Sequence, residues 1–310
     1  MIGTRRGFLR SVGAGAAGLG VLNGATGTAA AEHEYHRVPT DTDQPLFDVT
    51  DTSEGPFAVG AEGTFIRRGK ERYHTVGNEY YDHFYAVDVT ADGRYVWFVG
   101  EGGVVGEYDA VTAELTCHEV VDDDRPFVDV GVTGVPDDGT VYVLDAKGTL
   151  FYSFDYGGSW NREEFGHGAP TVALERFGER GGYVLDADGC LFRTVEGKTW
   201  KRYPVDDLEY YTFDLAGGPN HVGVVGENGL LYCREGEDVH YHKLSELDLF
   251  GVDYRTTDSF GVVVGFEGTL FEFDDGWRRV GTPLEVPLFD VFVGRHTVAV
   301  GEDGVVLERW

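Results

Sequence analysis

Lysine is nearly missing from this 310-residue chain, with five residues at positions 70, 147, 198, 201 and 243. Arginine raises the basic total only to 25, against 54 acidic residues. No basic patch or stripe breaks the acidic run of the sequence. The chain therefore lacks the charge that neutralises phosphate, and nucleic acid is excluded as a partner. Anionic membrane surfaces are excluded on the same ground. Cysteine is equally scarce: Cys117, Cys190 and Cys233, in no spacing of a zinc site or redox pair. Cys190 and Cys233 follow comparable glycines, Gly189 and Gly229, by one and four residues. On a strand that places them on opposite faces, so no disulfide joins them. All three read as packed, inert thiols. Ten histidines show no ligand spacing. Nucleophile elbows, phosphate loops and dinucleotide fingerprints are missing, so no cofactor is expected. No segment has a helical period, and none approaches the length of a membrane span.

What the chain does contain begins with "TRRGFLR" (4–10), then a weakly apolar Gly/Ala run, then small residues at Ala29 and Ala31. This start resembles a twin-arginine export signal, cut before Glu32. The resemblance implies a leader at 1–31 and a secreted mature chain at 32–310, not inserted in a membrane after cleavage. An uncleaved anchor is the alternative. Loss of the leader leaves 22 basic against 54 acidic residues, a net of −32. High Asp and Glu with few Lys resembles proteins of salt-loving organisms, where salt screens the repulsion. A cationic partner is the other reading of the same charge.

The dominant pattern is a sevenfold repeat. "VGAEGTF", "VGEGGVV", "LDAKGTL", "LDADGCL", "VGENGLL", "VGFEGTL" and "VGEDGVV" place their second glycines at 63, 103, 148, 189, 229, 268 and 304. Successive gaps are 40, 45, 41, 40, 39 and 36 residues. Each turn follows a short apolar run and precedes an alternating strand. An aromatic residue closes most units: Tyr73, Trp160, Trp200, Tyr241, Trp277. Four short strands per forty residues, with apolar runs buried on both faces, predict a seven-bladed β-propeller filling 32–310. The last unit ends six residues after Gly304, before its outer strand. "EYHRVPTDTDQPLFDV" (34–49) parallels "GWRRVGTPLEVPLFDV" (276–291). Residues about 34–38 are therefore expected to pair with 305–309 and close the ring, with Tyr35 in the outer-strand role.

Upstream of each turn stands an apolar–acid–apolar signature, with Asp48, Asp88, Asp129, Asp214, Asp253 and Asp290, and Glu175 as the weaker fourth copy. These acids fall on the innermost strands. They read either as a channel ring holding a hard cation or as one repeated hydrogen bond to neighbouring backbone. Repetition in every unit favours the second. The turns also carry Glu62, Glu101, Asp188, Glu227, Glu267, Glu302 and Asp303, which predicts one strongly negative face. Tyr80, Tyr81, Tyr210 and Tyr211 are expected beside it. That face reads as a site for a cationic or sugar-bearing partner, or as a solvated rim.

"SFDYGGSW" (153–160) matches the Asp-box at every fixed position through Ser153, Asp155, Gly157 and Trp160. Here Asp155 caps the turn, a glycine takes positive φ and Trp160 packs between blades. With the repeat elements, this resembles the BNR or sialidase-like propellers, and within them the photosystem II stability and assembly-factor group. The resemblance covers 34–310. It implies the propeller fold. A rigid ring presenting loops, with no catalytic residue identified, reads as a monomeric non-enzymatic binding or assembly scaffold for a protein or glycan. A secreted sialidase-like hydrolase is the alternative. It is weakened by seven units rather than six and by the lack of an Arg-Ile-Pro signature.

Overall fold

A computed structural model describes residues 34–77, 82–136, 138–165, 169–204, 211–236, 238–255 and 260–310. The leader reading at 1–31 and the tyrosines at 80, 81 and 210 lie outside the described residues.

Seven four-stranded antiparallel sheets hold the named strands. Their innermost strands are Leu46–Thr52, Phe84–Val89, Phe127–Thr133, Thr171–Phe177, Thr212–Gly218, Leu249–Arg255 and Leu288–Val293. Each touches the next around the ring, and the last touches the first. The chain is a seven-bladed β-propeller. Second strands such as Thr140–Asp145, Gly181–Asp186 and Phe260–Gly265 are buried along their whole length. That burial explains runs such as "FGVVVG", since a strand sandwiched between two blades needs apolar side chains on both faces.

Six blades are continuous in sequence and the seventh is not. Its sheet sets His36–Val38 beside Val306–Arg309, then Thr297–Gly301, then Leu288–Val293. The pairing runs His36 with Glu308, Arg37 with Leu307 and Val38 with Val306. The expected closure is observed, and it removes the open edge of the last hairpin. Tyr35 is 1% exposed, whereas Trp310 is 70% exposed. The outer-strand role belongs to Tyr35.

The turn grammar has a steric cause. In six blades the residue after the first glycine, or after the aspartate that replaces it, donates its N–H to a carbonyl just before that blade's inner strand; examples are Ala61 to Pro45, Glu101 to His83 and Glu302 to Pro287. The approach is so close that a Cβ on Gly60 or Gly301 would lie 2.0 or 2.1 Å from that carbonyl oxygen. In the five blades with this approach only glycine fits there. In the two "LDAxG" units an aspartate replaces it and caps the turn: Asp145 accepts the N–H groups of Lys147 and Thr149, and Asp186 those of Asp188 and Cys190. The second glycine has positive φ in all seven turns.

One sequence expectation needs correction. Cys117 is exposed rather than packed, because its outer strand, Leu115–Cys117, is exposed at all three residues. Cys190 and Cys233 are half-buried, and burial pushes both thiols up, away from the reactive thiolate.

Candidate functional site

The inner strands surround a channel with a cavity of about 220 Å³, lined by Asp48, Asp88, Asp129, Glu175, Asp214, Asp253 and Asp290. The predicted acids therefore meet at one place. Strand register divides them into two tiers. Asp48, Asp129, Asp214 and Asp290 stand directly after the bulge of their strands, opposite Val59, Leu144, Val225 and Val300. Ala86, Ala173 and Gly251 hold that position in the other blades, and Asp88, Glu175 and Asp253 lie two residues further on. Two strand residues are about 7 Å. Upper and lower tiers alternate from blade to blade around the ring.

One rule covers the contacts. An acid in one blade accepts the N–H of the next blade's residue just past its own tier. Asp48 accepts Val87 at 2.8 Å, Asp88 accepts Val132 at 2.7 Å, and Asp129 accepts Leu174 at 2.7 Å. Asp214 accepts Val252 at 3.0 Å, Asp253 accepts Val293 at 2.6 Å, and Asp290 accepts Val49 at 3.2 Å. The other carboxylate oxygen accepts the following N–H in its own strand, as in Asp48 to Val49 and Asp253 to Tyr254, both 2.7 Å. Seven is odd, so alternation fails once. It fails at ring closure, where Val49 N–H is shared by Asp48 and Asp290, and the Asp290 contact is the longest of the six. The fourth-to-fifth step has Glu175 in place of Asp. Its longer side chain bonds Arg176 N–H at 2.8 Å, and no clasp to the fifth blade forms among the described residues.

Arg176 crosses the third blade to grip Asp88 at 2.7 and 3.2 Å. The Arg176 stem passes beside Gly131, where an added Cβ would make an ordinary van der Waals contact at 3.6 Å. Burial pushes the Glu175 carboxyl well above its usual range and that of Asp253 up to about 7. Backbone N–H groups thus take carboxylate oxygens in six of seven interfaces. Among the described residues no three His, Cys, Asp or Glu side chains converge as metal ligands.

The Ser153–Trp160 turn is likewise held from within. Ser159 N–H and hydroxyl lie 2.8 and 2.7 Å from Asp155, and the Ser153 hydroxyl donates to it at 2.7 Å. These bonds lower the Asp155 pKa. Gly157 has φ 88°. Trp160 packs against the cluster joining the second and third blades. On the face bearing the repeat turns, Glu62, Asp188, Glu267 and Asp303 are exposed, and Glu101, Glu227 and Glu302 are half-buried. Tyr211 is exposed beside them.

Two buried glutamates escaped the sequence reading. Glu272 is fully buried, takes the Tyr35 hydroxyl at 3.0 Å and pairs with Arg309 and Arg278. Glu308, 1% exposed, takes the Tyr73 hydroxyl at 2.8 Å and Arg68 at 2.7 Å. In both, a third-strand Glu meets the outer-strand Tyr of the next blade. The signal was legible: each Glu follows its turn glycine by four residues, as Glu107 does.

No family model and no curated protein matches this chain. Solved structures do. YCF48, a photosystem II assembly factor, bound to a D1 peptide superposes with TM-score 0.72 at 14% identity, covering 91% of this chain and 98% of that one. YCF48 from Cyanidioschyzon merolae gives TM-score 0.71 at 16% identity, with 89% and 98% covered. Virginiamycin B lyase from Staphylococcus aureus gives 0.74 at 9% identity, with 89% and 99% covered. At these identities the likeness is one of fold: the chain shares the propeller of assembly factors and of a lyase alike.

Proposed function

We propose that this chain is an exported, non-enzymatic propeller that holds a cationic segment of another protein on its acidic face. The observation that carries the reading is how the acids divide. Those of the channel are held by backbone N–H groups and serve the ring, whereas Glu62, Asp188, Glu267 and Asp303 stand exposed on its turns. A rigid ring presenting loops suits binding, and its negative field steers a cationic partner. The peptide on the YCF48 structure is a precedent for a propeller of this shape holding a protein segment. The twin-arginine leader, the Asp-box kinship and adaptation to salt belong to the same proposal. A glycosidase needs two carboxylates aimed at substrate. In this channel the Arg176 guanidinium is engaged by Asp88, and the aspartates by backbone.

The test is fluorescence anisotropy with labelled Lys-rich, Gln-rich and Glu-rich peptides of equal length at two salt concentrations. The Lys-rich peptide should bind, more weakly at higher salt, and a variant with Glu62, Glu267 and Asp303 changed to Lys should lose it. Equal binding of Lys-rich and Glu-rich peptides refutes the proposal.

A further inference from the structure

Each blade sets one second-strand residue, three before the start of its turn, against the next blade. In six blades it is Phe57, Trp97, Tyr142, Tyr183, Val262 or Val298, none more than 4% exposed. In the fifth blade it is Gly223.

The second blade shows what fills the space. The Trp97 indole stacks on His118 with centroids 4.3 Å apart and donates its N–H to the Tyr156 oxygen at 3.1 Å. Tyr156 and His118 both bond Glu107. Strand register equates Cys233 with Glu107 and His242 with His118. The hairpin of the sixth blade is shorter, and its residues Asp274, Asp275 and Gly276 offer no counterpart of Tyr156. The indole, its carboxylate and its lid are therefore replaced by smaller groups while the imidazole stays, and Tyr254, which stands where Val132 does, takes part of the freed space.

What remains is a cleft of about 300 Å³ on the face opposite the acidic turns, walled by His221, His242, Tyr254, Phe273 and Trp277. That volume is at the lower end for small-molecule sites. Tyr254 forms the floor, pressed so closely on Gly223 and Gly261 that a Cβ on either would come within 2.6 Å of its ring or hydroxyl. His221 meets Tyr254 edge-on at 5.8 Å, and Trp277 does so at 6.3 Å. Edge-on and stacked rings of this kind favour a further aromatic. Burial lowers the pKa of both His221 and His242, which keeps their rings neutral at neutral pH.

We propose that the cleft between the fifth and sixth blades binds a planar aromatic ring of indole size, which does from outside what Trp97 does from within between the second and third blades. Indole itself is the probe, titrated into the folded chain in matched salt and followed by amide chemical shifts and calorimetry. The expected result is saturable one-to-one binding, with shifts centred on Gly223, Cys233, His242, Tyr254 and Trp277. The double variant Gly223→Trp/Tyr254→Val rebuilds the Trp97–Val132 pair and should weaken binding at least tenfold. If it fails to fold, Cys233→Phe, which plugs the cleft from the third strand, should do the same. Absence of saturable shifts in the natural chain, shifts centred elsewhere, equal binding by a folded plugged variant, or equal binding of cyclohexanol would each overturn the proposal.

Discussion

Truncating Tyr35 measures what closes the ring. Its ring is 1% exposed among Phe260, Val262, Leu270, Val291 and Leu307, and its hydroxyl donates to the buried Glu272. Burial pushes the phenol up to about 12, so it remains a donor across the working pH range. Tyr35→Phe removes the donor and leaves Glu272 with Arg309 and Arg278, a loss of about 1–3 kcal/mol. Tyr35→Ala also empties the aromatic site, for about 3–5 kcal/mol in all. The control is Tyr241→Ala. Tyr241 is the outer-strand aromatic of the fifth blade, but it is 47% exposed, so the cost should stay under about 1 kcal/mol. Urea denaturation in matched salt, followed by circular dichroism, reads all three. Deleting 32–40 goes further, exposing Val306–Arg309 as a bare edge, and should destabilise or oligomerise the chain. If Tyr35→Ala lies within about 1 kcal/mol of the natural chain, or the deletion is a monomer of unchanged stability, closure does not hold the ring.

Glu175→Asp should shorten the side chain to that of Asp88 and Asp253, which share its tier, and add a seventh clasp, to Gly217 N–H. A gain of about 1 kcal/mol in urea is expected, and a loss would show that Glu175 is needed as it stands. Burial pushes the Asp253 carboxyl up to about 7 from an ordinary 3.8. Between those values the folded chain keeps a proton that the unfolded chain has lost, so the Asp253 contribution to stability falls as pH rises through the window. Asp253→Asn should therefore gain on the natural chain between about pH 5 and 8; a pH-independent difference contradicts the burial argument. Chelator in matched salt should leave the melting temperature unchanged, because the channel carboxylates are held by backbone N–H; a clear drop would restore a cation to the channel.

Much of this architecture is written locally. A turn whose first glycine touches a carbonyl and whose second needs positive φ tolerates few residues, so "VGxxG" recurs wherever the backbone does. The inner-strand acids were legible for the same reason, because each serves one repeated contact. Their tiers were not. Asp48 and Asp88 both precede their turn glycines by 15 residues. The first hairpin turns in two residues, Ser53 and Glu54, while the second takes five, Thr90 to Arg94, so the same count ends two positions apart along the strand. The cleft at Gly223 was hidden as well. A glycine in "HVGVVG" reads as one more small residue until the register sets it where Trp97 stands.

The sequence alone determined the number of blades, their turns and the return of residues 34–38 to the last blade, since each depends on short-range backbone geometry repeated seven times. Only the tertiary structure decided which acids share a tier, how Glu272 and Glu308 receive tyrosines from the far end of the chain, and where two blades leave a cleft between them. Those depend on how neighbouring blades register against one another, and hairpins of unequal length uncouple that register from position in the chain.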